Sequence, residues 1–419
     1  MPDGGSAVEV GVLEAPPLEG GAAVLLIDLP GFHARLGVYG DDAAGDLDNA
    51  RRFGLFARAV VELVLARGRA GASFDLVHAH EWPAAMVAYL LREAAGPRRP
   101  RAIVTAHNLA HQGVFPPAAL APFGLGPGHL RIERLEFFGR VNLLKGGLVA
   151  ADAITTVSPT YAREILTPAG GERLDGVLRS RGRDLRGILN GIDDVAWDPR
   201  GDRALPARYG PDDPGPKAAC KRALLEEIGL EPGAPLVTSL GRVVEQKWSD
   251  LLAAAIPAIV AAGASVAVAG AGDAALERAL AGAAARCPGR AVYLGAVSEP
   301  LAHRLIAGAD LLAMPSRWEP CGLVQLYAQR YGALPVARRT GGLADTIEDA
   351  AAGLEAGTGF LFEEPTPAAL ARAIARALAA MRSPRWDDLR RRVMRLELGW
   401  RAPAIRYEHL YHEILARPA

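Results

Sequence analysis

The stretch ADLLAMPSRWEPCGLVQLYAQRYGALPVARR, residues 309–339, reads as strand, loop, helix and strand. Two short apolar runs, 309–316 and 333–339, flank a segment with helical character. Strands joined by a helical crossover lie parallel, because the crossover returns the chain to the end at which the first strand began. The loop between strand and helix needs Pro320 and Gly322 to turn, but a turn has no need of an acid. The stretch therefore raises a question about chemistry as well as fold: what does Glu319 face?

Outward from this unit the pattern repeats. Runs at 234–242, 264–272, 291–297 and 359–363 complete one series of strands separated by helical segments. An earlier series occupies 22–28, 74–80, 101–107, 153–158 and 186–191, with helical spacing at 48–67 and 83–95. Alternation of this kind predicts parallel sheets built from βαβ units, hence an α/β chain with two Rossmann-like domains. The Pro- and Gly-rich stretch 198–216 interrupts the alternation and reads as a linker. The expected domains are 1–200, a linker at 201–218, a second domain at 219–396 and a closing segment at 397–419.

Open α/β sheets bind ligands outside the carboxyl ends of their strands, so two such domains imply a cleft there. The polar residues at those ends are His78, His80, Glu81, His107, Asn108, Asn190, Arg242, Lys247 and Glu319. No G-x-G-x-x-G follows the first strand of either series, and the GAGD at 270–273 is what any strand-ending turn could supply. That argues against a nicotinamide enzyme.

Composition narrows the partners. The 47 basic and 47 acidic residues cancel, leaving no electrostatic reason to expect nucleic acid or an anionic membrane. An anionic ligand must then be held by a few placed cations. Three scattered cysteines, Cys220, Cys287 and Cys321, suit neither a disulfide framework nor a zinc site and fit a reducing cytoplasm. The segment starting at Met1 lacks the basic start and apolar core of a signal peptide. Residues 251–272 carry no charge over a length that could cross a bilayer, but Pro257, Gly263, Gly270 and Gly272 break the run. It reads as a buried helix, a turn and a buried strand.

Arg242 and Lys247, five residues apart after a strand, can converge on one diphosphate, a guanidinium forking two oxygens beside a compact ammonium. A solvated loop pair is the plainer alternative. A helix starting near Gly322 would offer free N–H groups to phosphate, with Gly322 permitting close approach. Glu319 would then lie beside a sugar or phosphate, or else cap the helix. His107 ends an apolar strand beside Asn108 and Gln112, a loop polar enough for sugar hydroxyls, although a lone histidine there can equally be structural. His78 and His80 share a strand face, yet no third ligand stands at a recognisable spacing, so no metal site is expected.

Across nearly the whole chain, these motifs resemble the bacterial glycogen synthases, retaining glucosyltransferases of the starch synthase type. In family order they are DNARRF, HAHEW, TAHNLAHQG, VNLLKGGLVAADAITTVSPTYAREI, GILNGIDDVAWDP, GRVVEQK, RWEPCGLVQLYAQRYG and RRTGGLADT, followed by a closing helix in GWRAPAIRYEHLYHEIL that the resemblance returns to the N-terminal domain. The resemblance implies a GT-B fold and transfer of glucose from ADP-glucose to the non-reducing end of an α-1,4-glucan, with retention and without a cofactor or metal. By motif match Arg242 and Lys247 hold the diphosphate, Glu319 orients the glucosyl group, and His107 contacts the glucose. Glu81, Asn108 and Asn142 line the sugar side, and Cys321, Gly322, Leu323 and Val324 form the wall and backbone near the phosphates. The chain departs from the pattern at Glu81 (usually Asp), His111 (Tyr), Trp248 (Gly), Val297 (an aromatic) and Val324 (Thr). The family's opening Lys-Thr-Gly-Gly-Leu segment has no counterpart here, since Gly341 to Asp345 belongs to the second domain, so the first domain is expected to be N-terminally truncated. A catalytically weak or silent glucan- or nucleotide-binding homologue, and a GT-B transferase using another donor such as UDP-glucose, are the alternatives.

Overall fold

The computed structural model describes residues 2–3, 6–18, 20–29, 32, 46–95 and 99–418. The reading of the segment from Met1 falls partly outside this set. The chain divides into two compact units, one of Met1–Val157, Ala162–Gly187 and Tyr407–Ala419, the other of Ser158–Tyr161 and Ile188–Arg406.

The second unit is built on six parallel strands. In spatial order they are Ala291–Tyr293, Ser265–Ala269, Leu236–Leu240, Leu311–Met314, Leu334–Arg338 and Phe360–Phe362. Numbered along the chain, that order is 3-2-1-4-5-6, the doubly wound arrangement, whose switch point lies between the first and fourth strands. Ser265–Ala269 and Leu311–Met314 are buried along their whole length, as strands covered by helices on both faces must be. The covering helices carry the matching stripe. In Pro367–Ala380 the buried residues are Ala369, Leu370, Ala373, Ile374, Ala377 and Leu378, one face of a 3.6-residue period. Its start is set by Pro367 in the first turn and by Thr366, whose side chain accepts from the Ala369 N–H at 3.1 Å.

The uncharged run 251–272 folds as read from the sequence. Helix Ser249–Ala261 turns at Gly263 into the buried strand Ser265–Ala269. Among the described residues no helix is long and apolar enough to cross a membrane.

The first unit carries a four-stranded parallel sheet in the order Leu185–Gly187, Ala153–Thr156, Arg101–Ala106, Leu76–His80. The run at 22–28 does not join it. Val24–Asp28 instead pairs antiparallel with Gly11–Ala15, from Gly11 opposite Asp28 to Ala15 opposite Val24. A short connection can close only an antiparallel hairpin, whereas parallel pairing needs a long crossover. The helices expected at 48–67 and 83–95 are Asp46–Arg69 and Glu81–Ala95.

The division between units falls at Gly187 and Ile188, ahead of the Pro/Gly-rich stretch from which the sequence placed it. Residues 188–216 pack with the second unit: the Trp197 ring stacks on His303 at 3.8 Å and on Tyr327 at 3.9 Å. Buried Asp202 accepts from the Tyr331 hydroxyl at 2.6 Å. Proline and glycine here shape a wrapped segment.

At the carboxyl ends of the second sheet two turns approach closely. Gly270 has φ +145°, and a Cβ there would sit 1.7 Å from the Gly241 carbonyl oxygen. Gly270→Ala is therefore expected to destabilise the second unit by more than about 1 kcal/mol, the floor for a side chain forced into an incompatible conformation. Urea unfolding followed by tryptophan fluorescence reads this, and an unshifted midpoint would contradict the close approach.

Candidate active site

In the second unit the site forms at the switch point. Strand Leu236–Leu240 ends in Gly241 and exposed Arg242, then passes through a 3-10 turn at Glu245–Lys247. Its neighbour Leu311–Met314 ends in Pro315, Ser316 and the loop to Glu319. The two loops are bonded to each other, with the Arg317 backbone N–H donating to the Gln246 carbonyl at 2.8 Å and the Gln246 side-chain amide to the Trp318 carbonyl at 3.3 Å. Arg242 and Lys247 consequently line one open pocket together with Ser239, Gly241, Pro315 and Ser316. The two cations thus share one concave pocket at the strand ends.

Glu319 is 4% exposed and faces into this arrangement. Its Oε2 accepts from Lys247 Nζ at 2.5 Å and from the Ser316 hydroxyl at 2.9 Å. It does not cap the following helix, which spans Val324–Arg330, starts beyond Gly322 and has no side-chain cap. A buried carboxylate needs a partner, and Ser316 three residues upstream is the local sequence signal for one.

Gly322 has φ +72°, and a Cβ there would meet the Gln325 side-chain oxygen at 2.4 Å, so backbone alone is presented at this corner. Cys321 is buried, and burial pushes its thiol up to about 11, so it is a neutral wall at ordinary pH. Leu323 precedes the helix and Val324 begins it, the latter half-buried against the core. Trp248 sits at φ +54°, a conformation that glycine adopts without strain. Its ring is held by the guanidinium groups of Arg317 at 5.0 Å and Arg338 at 5.5 Å.

In the first unit the strand Leu76–His80 passes directly into helix Glu81–Ala95, with Glu81 at φ +62°. That conformation turns the Glu81 carboxylate onto the loop after the neighbouring strand, where Oε1 accepts from the N–H groups of His107 and of Asn108, the latter at 2.9 Å. Burial raises the Glu81 carboxyl to about 7 despite these bonds. His80 Nδ1 and His107 Nε2 lie 3.0 Å apart, one donating and the other accepting. His78 stacks on His80 at 4.3 Å and uses its own nitrogens on Thr105 Oγ1 at 2.6 Å and the Tyr411 hydroxyl at 2.8 Å. Burial lowers His107 to about 4 and His78 to about 3, so both rings are neutral near pH 7. A third histidine thus joins the strand pair, but these nitrogens are hydrogen-bonded, and among the described residues no group of His, Cys, Asp or Glu is arranged to hold a metal ion.

Asn108 closes its own turn, with Oδ1 accepting from the Ala110 N–H at 3.1 Å. Asn142 is placed differently from the expected sugar wall. It is 0% exposed, caps helix Leu143–Ala150 by accepting from the Lys145 N–H at 2.8 Å, and donates to Gln112 Oε1 at 2.5 Å. Helix-capping geometry wins because the orphan N–H groups of a buried helix start must be satisfied. Asn142 therefore holds the loop that starts at His107.

Comparison with known proteins decides the family. Residues 4–180 match the starch synthase catalytic domain and residues 234–380 match glycosyl transferases group 1. The chain is 47% identical over 404 residues to a glycogen synthase of Anaeromyxobacter dehalogenans, spanning 94% of this chain and 84% of that protein. The chain belongs to the glycogen synthase family. Glycogen synthase 1 of Methylococcus capsulatus is 45% identical over 93% of this chain and 80% of its own length. Among solved structures, the catalytic domain of starch synthase IV from Arabidopsis thaliana, bound to ADP and acarbose, aligns at 31% identity with a TM-score of 0.88, covering 99% of this chain and 86% of that one. The fold is accordingly of the GT-B glycosyltransferase type, and this member of the glycogen synthase family is a glycosyltransferase.

Two expectations follow from the site. Lys247→Met strips the partner from a buried carboxylate. Discounting for the partly exposed lysine, it should destabilise the second unit by about 1–3 kcal/mol, with Glu319→Gln in the same chain restoring part of the loss, measured by urea unfolding. For Glu81, the folded carboxyl holds a proton up to about 7 that the unfolded one releases near its ordinary 4.5. Its contribution to stability is full below the unfolded value and is lost as pH rises through the folded one. The melting temperature of Glu81→Gln relative to wild type should therefore climb between these two values. A constant difference would contradict the raised carboxyl.

Proposed function

We propose that this chain transfers glucose from ADP-glucose to the non-reducing end of an α-1,4-glucan, with retention of configuration. The observation that carries the reading is the pocket at the switch point, where Arg242 and Lys247 stand together and buried Glu319 is bonded to Lys247. Support for the donor comes from the related starch synthase IV, which is described as bound to ADP and acarbose.

On this reading the Arg242 guanidinium and Lys247 ammonium take the charge that develops on the leaving diphosphate. Lys247 has three donors, so it can keep Glu319 while reaching a phosphate oxygen. Glu319, fixed by Ser316 and Lys247, orients the glucosyl group, and the backbone from Cys321 to Val324 supports the phosphates past Gly322. His107, neutral and hydrogen-bonded to His80, contacts the glucose, and Glu81 positions it through the two N–H groups it accepts from. Asn108 and Asn142 keep that loop in shape. Departure of the diphosphate and attack by the acceptor hydroxyl on the same face depend mainly on such positioning. No metal enters the reaction on this reading, and a cytoplasmic location belongs with it, since the free cysteines Cys220, Cys287 and Cys321 suit a reducing compartment.

The test is incorporation of labelled glucose from ADP-glucose into glycogen by the full chain in EDTA. Wild type should incorporate, Glu319→Ala should not, and Arg242→Ala should lose about 10²–10³-fold in kcat, the usual cost of removing one donor to developing charge. Absence of incorporation by the folded wild type, or a higher kcat/KM for UDP-glucose, would overturn the reading.

A further inference from the structure

Short strands Glu136–Phe137 and Arg140–Asn142 form a hairpin that turns at Phe138 and Gly139, whose φ values are +52° and +78°. Two successive positive φ values define a turn in which glycine and asparagine are favoured and a bulky side chain is not. Position 138 nevertheless holds phenylalanine, and the residue is 70% exposed. Neither backbone preference nor burial accounts for it. The ring is also held in place: Phe137 meets it edge-on at 4.9 Å, and the Arg173 guanidinium lies 5.4 Å from its centre. Arg173 and its neighbour Glu172 have φ values of +66° and +47°. Left-handed residues other than glycine gather where a surface is shaped for a ligand.

The support beneath this ring is continuous with the loop that carries His107. Val114 pairs with Asn142 and Phe115 with Val141, which ties the hairpin base to the end of that loop. Gln112 accepts from Asn142 at 2.5 Å and donates to the Glu172 carbonyl at 2.9 Å, joining loop, hairpin and the Glu172–Arg173 turn in one bonded set. Buried Lys145 clamps the approach to the hairpin by donating to the Ile132 and Glu136 carbonyls, each at 2.6 Å.

We propose that Phe138, with Arg173 beside it, is a stacking platform for the acceptor glucan at sugar units away from the reacting end. A pyranose ring offers an apolar C–H face to an aromatic ring and hydroxyls at its rim to a guanidinium, and rigid aromatics bind at low entropic cost. The inference rests on the proposed function for the identity of the glucan.

The experiment compares the wild-type full chain with Phe138→Ala and Phe138→Tyr. Glycogen affinity is read from retardation in native gels containing glycogen, without donor, and KM is read for glycogen and for maltotriose. Phe138→Ala should weaken glycogen affinity by about threefold to tenfold, the span of a single aromatic contact, and raise KM for glycogen more than for maltotriose. Phe138→Tyr should retain the affinity, and thermal unfolding should be alike in all three. Equal retardation of Phe138→Ala and wild type, equal weakening by Ala and Tyr, or no glycogen affinity in wild type would overturn the platform. Retardation lost in Phe138→Ala, in a wild-type chain that binds glycogen but transfers nothing, would support the platform while removing the proposed activity.

Discussion

The parallel pairing of Leu236–Leu240 with Leu311–Met314, Val237 opposite Leu311 and Thr238 opposite Leu312, is the constraint on which the second unit's site depends. These are the first and fourth strands of the sheet, and their connections leave toward opposite edges, which opens a crevice between the two loops. Lys247 and Glu319 are 72 residues apart in sequence, yet this pairing sets their atoms 2.5 Å apart. A shift of register by one residue would turn every side chain on one strand to the other face and separate them.

Burial then decides the electrostatics of each half. In the second unit it makes the Glu319 carboxylate dependent on Lys247 and Ser316, so the cation is oriented before any ligand arrives. In the first unit burial acts on both kinds of group at once, raising the Glu81 carboxyl and lowering His78, His80 and His107. His78 and His107 are thus neutral hydrogen-bonding groups, while the cation at Lys247 is paired with Glu319.

Among the non-glycine residues in left-handed backbone are Glu81, Trp248 and Phe138. Each is held by something outside its own turn: Glu81 by two N–H donors, Trp248 by two guanidinium groups, Phe138 by Arg173. Conformations of this kind persist only where the surroundings over-determine them. At Trp248 this backbone would suit glycine without strain, and the large ring there is held by two arginines.

Much of this was legible in the residues alone. Alternating apolar and helical segments specify parallel sheets through local periodicity, and the position of Arg242, Lys247, His107 and Glu319 after strands follows from counting along the chain. Local patterns failed where the answer lay in a distant partner. The run at 22–28 looks like any other strand, and only the availability of Gly11–Ala15 made it half of an antiparallel hairpin. The Pro- and Gly-rich stretch looked like a free linker until Trp197 found His303 and Tyr327. Asn142 carried a sugar-binding expectation that the needs of a buried helix start displaced. Sequence determined which elements form and which polar groups sit at their ends, because both are matters of short-range order. Tertiary structure alone decided what Glu319 faces, because its partner Lys247 is brought to it by strand pairing across the sheet.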